Sequence, residues 1–209
     1  MKLYEFAAAP NPRRVRIFAA EKGIDLDTVQ VDIRSGEQFG DAYRALNPYC
    51  TVPALVLDDG TCISESFAIC RYLEALKPEP PLMGVDAKDQ GLVEMWHRRV
   101  EIHGLMAIAD ALRNTAERFQ NHAVPSAKPY AQIPELAERG MSRIGDFFEM
   151  LDERLGKSAH VAGENYSVAD ILAMVCVDFA AVVKKTPPDG MRALKAWHET
   201  VSSRPSALA

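Results

Sequence analysis

Residues 77–81, Lys77-Pro78-Glu79-Pro80-Pro81, separate two regimes of periodicity in the chain. Three prolines within four positions neither continue a helix nor donate to a sheet ladder, so the stretch reads as a stiff, extended connector. Upstream, short period-two runs alternate with short helical patterns. Downstream, every apolar repeat has helical spacing. The chain therefore divides into an α/β domain at residues 1–77, a linker at 78–85 and an all-helical domain at 86–209, and its 209 residues suffice for two cores.

The first part opens with a strand candidate, Leu3-Tyr4-Glu5-Phe6. Pro10-Asn11-Pro12 then reads as a helix start, with Asn11 as the cap and Pro12 as the first helical residue. Val15, Phe18 and Ala19 share one face of that helix, and Gly23 ends it. Val29, Val31 and Ile33 alternate with polar residues as a second strand, and residues 38–46 form a short irregular helix. Asp58-Asp59-Gly60 is a hairpin turn between a strand at 54–57 and a return strand at Cys62-Ile63. Ser64-Glu65-Ser66 opens a helix bearing Ile69, Leu73 and Leu76. The order β-α-β-α-β-β-α predicts a mixed four-stranded sheet.

In the second part, one long helix is expected from residue 86 to about residue 119, with Trp96, Val100 and Ala107 at helical spacing. A loop with Pro125 and Pro129 follows, then a stripe of Ile144, Phe147, Phe148, Leu151 and Leu155. A second stripe, Val168, Ile171, Leu172, Val175, Phe179 and Val182, is complete enough to predict the central helix of a bundle. Pro187-Pro188-Asp189-Gly190 turns the chain into a last helix with Leu194 and Trp197. Ser167-Val168-Ala169-Asp170 is S-x-x-D, with Tyr166 before the cap and Ile171 inside the helix, which reads as a structural capping motif with a hydrophobic staple.

Composition narrows the function. The net charge is −5, and the densest basic run, Arg13-Arg14-Val15-Arg16, is too short for a nucleic-acid footprint, so no nucleic-acid partner is expected. No segment approaches the ~18 apolar residues of a membrane span, and the first ten residues, interrupted by Glu5, do not read as a signal peptide. Cys50, Cys62, Cys70 and Cys176 form no C-x-x-C, which argues against zinc and for a reducing, cytoplasmic location. His97, Glu101 and His103 do not share one helical face, so no metal site is expected.

Residues 47–76 carry the functional signal. Thr51-Val52-Pro53 puts a proline at the mouth of a strand, and Glu65-Ser66 puts an acid and a hydroxyl at a helix start. Together they suit a small peptide-like ligand. Plainer readings stand beside this one. Pro53 is a trans proline opening an edge strand, and Ser64 is an N-cap with Glu65 in the acidic first turn.

Four motifs in this order, Ala9-Pro10-Asn11 with Arg14-Val15, Asn47-Pro48 leading to Val52-Pro53, Glu65-Ser66, and Ser167 to Asp170, make essentially the whole chain resemble the cytosolic glutathione transferase family. The Ala-Pro-Asn turn, Gln38 and Gly163-Glu164-Asn165-Tyr166-Ser167 are most similar to bacterial members of the Nu-class kind and to the yeast prion-forming relative. The resemblance implies a thioredoxin-like domain that binds glutathione, followed by an all-α bundle domain with an acceptor-substrate cleft. It further implies a cytoplasmic homodimer with a detoxifying role.

Site residues follow from the same resemblance. The family has a cis bond at Val52-Pro53, costing about 0.5–1 kcal/mol before proline against ~3–4 elsewhere. That bend turns the Val52 amide and carbonyl toward the cysteinyl backbone of glutathione. Glu65 meets the γ-glutamyl ammonium. Ser66 and the helix start take the neighbouring carboxylate. Gln38 reaches the glycyl carboxylate or is a solvated loop glutamine, Thr51 has a supporting role, and Arg139 contacts glutathione or is an exposed helix arginine. His103 and Met106 face the acceptor.

The chain departs from the family at the first turn. Ala7, Ala8 and Ala9 stand where many relatives carry the Ser, Thr, Tyr or Cys that activates the thiol. Asn11 is the polar group left, donating to the thiolate or serving as a cap alone. A free thiol titrates near about 8.5 and each unit of lowering needs ~1.4 kcal/mol. One donor to an anion supplies ~1.5–3 kcal/mol and a helix N-terminus ~0.3–1, enough for a pKa of about 7. The expected function is transfer of glutathione to a small hydrophobic electrophile. The alternatives are glutathione-dependent reduction of a disulfide or organic hydroperoxide, and a non-enzymatic binding module on the same fold.

Overall fold

The computed structural model describes all 209 residues, which form two compact units. The first comprises Met1–Pro80 with Val124–Pro129 and Leu208–Ala209; the second comprises Pro81–Ala123 and Tyr130–Ala207.

The first unit contains β1 (Lys2–Glu5), α1 (Pro10–Glu21), β2 (Asp27–Gln30), α2 (Asp41–Leu46), β3 (Ala54–Val56), β4 (Cys62–Ser64) and α3 (Ser66–Leu76). The sheet order is β2-β1-β3-β4, with β1 parallel to β2 and antiparallel to β3, and β3 antiparallel to β4. This is the mixed four-stranded sheet expected from the β-α-β-α-β-β-α order, and it has the thioredoxin-like arrangement that the resemblance implies. Leu3 and Leu55 in the strands, Val15, Ile17 and Phe18 on α1, and Ile69 and Leu73 on α3 are wholly buried.

Several boundaries differ from the expectation. Helix α1 begins at Pro10 with Ala9 as its N-cap, so Asn11 is the second helical residue and caps nothing. Both prolines fit because the first-turn amides have no intrahelical acceptor in any case. At the other end, the Gly23 amide bonds to the Ala20 carbonyl and the Ile24 amide to the Ala19 carbonyl, a Schellman closure. Strand β2 stops at Gln30, before Val31 and Ile33. The segment 38–46 is a 3-10 turn (Glu37–Phe39) followed by α2, with Gly40 between them. Ser64 ends β4 instead of capping α3. Glu65 occupies the cap position at φ +70° without any side-chain cap bond.

The connector is held by a buried cation. Lys22 has no exposed side-chain area. Its Nζ donates to the Pro78 carbonyl at 2.9 Å and to the Pro80 carbonyl, and pairs with Glu74 at 2.5 Å. Lys77 Nζ in turn donates to the Gly23 carbonyl. A proline-rich segment has few amides to exchange for these carbonyls, so a side-chain donor takes their place.

The second unit contains α4 (Ala87–Val100), a π turn (Glu101–Leu105), α5 (Met106–Arg113), α6 (Pro134–Leu155), α7 (Val168–Phe179) and α8 (Arg192–Ser202). The expected helix to residue 119 widens at the π turn and ends at Arg113. Only a short 3-10 turn, Glu117–Phe119, follows. Its end is set by side chains that bond the last turn: Asn114 Nδ2 donates to the Asp110 carbonyl, and Thr115 Oγ1 donates to the Ala111 carbonyl. Residues 168–177 of α7 are buried without interruption, as a central helix requires. Val182 leaves the stripe and is exposed, because the helix tightens to a 3-10 turn over Ala180–Val183. Helices α5 and α6 approach through Gly140, whose missing Cβ would stand 2.7 Å from the Ala107 carbonyl oxygen.

Candidate functional site

Strand register gathers the first unit's candidate residues at one end of the sheet. Ala54 pairs with Tyr4 on one side and with Ser64 on the other. Continued two residues outward, that register brings Val52 level with Phe6, where β1 leads into α1, and level with Ser66, where α3 begins. Because β2 runs parallel to β1, its own exit toward Gln38 lies at the same end.

The Val52–Pro53 peptide bond is cis. Val52 lies outside the β3 ladder, and its backbone amide and carbonyl have no partner within the chain. The loop before it is fixed. The Tyr43 hydroxyl donates to the Thr51 carbonyl at 2.6 Å, and Asn47 Nδ2 donates to the same carbonyl at 2.9 Å and to Thr51 Oγ1 at 3.2 Å. Burial pushes the Tyr43 hydroxyl's pKa far up, so it remains a donor. Asn47 also accepts from the Tyr49 amide, and Cys50 adopts a left-handed φ of 58°. Thr51 therefore serves as an anchor for the loop.

Ser66 is the first residue of α3 and is buried, whereas Glu65 is exposed. An exposed carboxylate and the N-terminus of a helix form two adjacent recognition points of opposite polarity.

The turn from β1 to α1 is built from outside. The Ala7 amide donates to Gln30 Oε1 at 3.1 Å and its carbonyl accepts from Arg16 Nη2 at 3.1 Å. Gln30 and Arg16 both also donate to Glu5, which is buried. With prolines at the first and third positions of α1, and the Arg13 amide bonded to the Ala9 carbonyl, the Asn11 amide is the free backbone donor of this helix start. The Asn11 Oδ1 and Gln38 Oε1 atoms are buried without a hydrogen-bond partner. A half-turn of either amide exchanges that oxygen for an NH₂ group.

The remaining candidates lie in the second unit. Arg139 is exposed on α6. His103 in the π turn and Met106 at the start of α5 are both exposed. Ser167 caps α7 in a capping box with Asp170. Asp170 is wholly buried and does more than the motif foretells, since Oδ2 accepts from the Ser167 amide and hydroxyl while Oδ1 accepts from the Val161 amide at 2.9 Å and Trp197 Nε1 at 3.1 Å. A surface cavity of about 480 Å³ lined by residues including Asp178, Lys195 and His198 contains none of the predicted site residues. No group of three or more His, Cys, Asp or Glu side chains is arranged to hold a metal ion, and no helix is long and apolar enough to cross a membrane.

Sequence reasoning missed Tyr43, Asn47, Gln30, Arg16 and Glu5 as positioning residues. Asn47 alone carried a local signal, a polar residue at a helix end before proline.

Comparison with known proteins agrees with this architecture. Residues 8–76 match the glutathione S-transferase N-terminal domain, and residues 119–205 match the glutathione S-transferase C-terminal domain. Glutathione S-transferase 2 of Saccharomyces cerevisiae is 33% identical over 99% of this chain and 87% of its own length. A disulfide-bond oxidoreductase of Escherichia coli is 29% identical over 96% of this chain and 90% of its own. The crystal structure of a glutathione S-transferase domain-containing protein from Marinobacter aquaeolei superposes with a TM-score of 0.90 at 34% identity, covering 99% of both chains. With both family domains matched in order and a relative above 30% identity along nearly the whole chain, this protein belongs to the glutathione S-transferase family.

Proposed function

We propose that the chain binds glutathione at the gathered end of the sheet and lowers the pKa of its thiol for attack on a small hydrophobic electrophile. The observation that carries this reading is Val52. Its amide and carbonyl have no partner in the chain and can pair, strand-like, with the cysteinyl backbone of the ligand. Glu65 meets the γ-glutamyl ammonium, and Ser66 with the α3 amides meets the carboxylate beside it. Gln38 takes the glycyl carboxylate through its side-chain NH₂, and its buried Oε1 has no partner that would fix the amide the other way round.

At the thiol, this chain offers Asn11. Its backbone amide is the free donor of the α1 start, and its side-chain amide has an unpartnered buried end. Two donors to an anion supply ~3–6 kcal/mol before desolvation, so a hydroxyl is not required. The thiolate sulfur then forms the new bond to the electrophilic atom of the acceptor, and the leaving group departs with the bonding pair.

In this reading residues 1–77 are the glutathione domain, 78–85 the linker, and 86–209 the acceptor-side domain, to which His103 and Met106 belong. Arg139 is a further contact to glutathione, and the chain works as a cytoplasmic homodimer in detoxification. Calorimetry with glutathione tests the reading first, and absence of binding overturns it. Ultraviolet titration of the bound thiolate tests the activation, with a pKa unmoved by Asn11→Ala removing Asn11 from the role.

A second reading has its own support. Residues 7–9 are three alanines without hydroxyl or thiol, and one relative is named a disulfide-bond oxidoreductase. In that chemistry two glutathione thiols supply two electrons, a disulfide acceptor leaves as two thiols, and the glutathiones leave joined. Parallel assays with an aromatic halide and a small disulfide or organic hydroperoxide separate the two.

A further inference from the structure

Between α4 and α5 the helix widens into one π turn, in which the Met106 amide reaches back five residues to the Glu101 carbonyl. In an α-helix that amide would bond to Ile102. The widening therefore deprives the Ile102 carbonyl of its ladder partner, and a side chain 41 residues away supplies one: Arg143 Nη2 on α6 donates to it. The other end of the guanidinium, Nη1, lies 3.8 Å from Asp110 Oδ2 on α5. The same turn meets α6 again at Gly104, where an added Cβ would stand 2.7 Å from the Phe147 ring. Arg143 and Phe147 are four residues apart and so share one face of α6. Helix α6 thus holds the wide turn at two points, and that turn presents the exposed His103 and leads into the exposed Met106.

We infer that Arg143 is a positioning residue for acceptor specificity: by taking the Ile102 carbonyl it holds the wide turn open and fixes where His103 and Met106 stand. This rests on the reading that those two residues meet the acceptor. Arg143 itself touches neither glutathione nor acceptor in this assignment. A π turn without a donor for its spare carbonyl reverts toward α-helical hydrogen bonding, which rotates every following side chain of α5 by roughly 100°.

The test compares full-length wild type, Arg143→Met, Arg143→Lys and Met106→Ala, using glutathione and whichever probe the wild type turns over faster, a chlorodinitrobenzene or a small disulfide. Arg143→Met is expected to raise the acceptor KM about tenfold, to leave the glutathione Kd within about twofold, and to speed amide exchange at Met106 about tenfold. Arg143→Lys keeps a donor for the Ile102 carbonyl and is expected to restore most of both. An unmoved acceptor KM in Arg143→Met overturns the inference, as does a parallel loss of glutathione affinity and thermal stability. If Met106→Ala raises the acceptor KM while Arg143→Met does not, the inference fails alone. If Met106→Ala changes nothing, or neither probe is turned over, the assignment of the acceptor side fails and takes the inference with it.

Discussion

The side-chain amide of Asn47 donates to both the carbonyl and the hydroxyl of Thr51, at 2.9 and 3.2 Å. It joins the end of α2 to the residue before Val52, and so holds the segment whose backbone faces the proposed ligand. Tyr43 adds a second donor to the same carbonyl, which leaves that loop with little freedom to lose on binding.

Asn47→Ala is accordingly expected to lower stability by about 1–3 kcal/mol, since buried acceptors lose a donor. Glutathione affinity should fall about tenfold as the Val52 segment loosens. Urea denaturation and calorimetry on the same variant check both. Unchanged affinity would show that Tyr43 alone fixes the loop.

Glu65 combines an exposed carboxylate with a left-handed φ of +70°. A non-glycine residue held there costs on the order of 1 kcal/mol, so Glu65→Gly is expected to raise stability by about 0.5–1 kcal/mol while weakening glutathione binding about 10–100-fold. Thermal unfolding without ligand, read beside calorimetry, detects the opposed signs. A variant equal to wild type in affinity would remove Glu65 from the site.

Asp170 joins the α7 cap, the Val161 amide and the Trp197 indole of α8. Asp170→Ala leaves four buried donors without their acceptor, and a loss of about 3–5 kcal/mol is expected. Ser167→Ala, which removes only the cap hydroxyl, should cost about 1 kcal/mol. Equal losses in the two variants, measured by urea midpoint, would contradict the hub assignment.

Burial pushes the Cys70 thiol from 9.0 up to about 12. Between those values the unfolded chain has released a proton that the folded chain retains, so stability falls as pH rises from about 9. Urea midpoints at about pH 8 and about pH 10 should show that loss, smaller in Cys70→Ala. In the native protein a thiol reagent should label Cys62 first, the one cysteine that is not buried. Its thiol is also raised by burial, so its rate should keep climbing above the ordinary thiol pKa.

Much of the fold was legible in the sequence because it is local. A short strand pattern at residues 3–6, an apolar run after Pro53 and the return from the Asp58-Asp59-Gly60 turn marked β1, β3 and β4, apolar stripes marked α6 and α7, and the prolines at 78, 80 and 81 marked a break. Two helix starts shifted because local signals competed. Pro10 and Pro12 both suit a helix start, and Pro10 took the first position, moving Asn11 out of the cap and into the helix. Ser64 suits a cap, but its pairing with Ala54 kept it in the sheet.

By itself, then, the sequence determined the element order, the division into a mixed α/β part and a helical part, and a cluster of residue types that suits a small peptide-like ligand: Val52-Pro53, Glu65 and Ser66. These are properties of neighbouring residues, set by periodicity and capping chemistry. The tertiary structure alone decided which donors serve which acceptors across long separations. Gln30 and Arg16 hold Ala7, Lys22 holds Pro78 and Pro80, and Arg143 holds Ile102. No pattern encodes those pairs, because each arises when folding brings a carbonyl or an amide that its own helix or strand leaves unpaired within reach of a side chain far away in sequence.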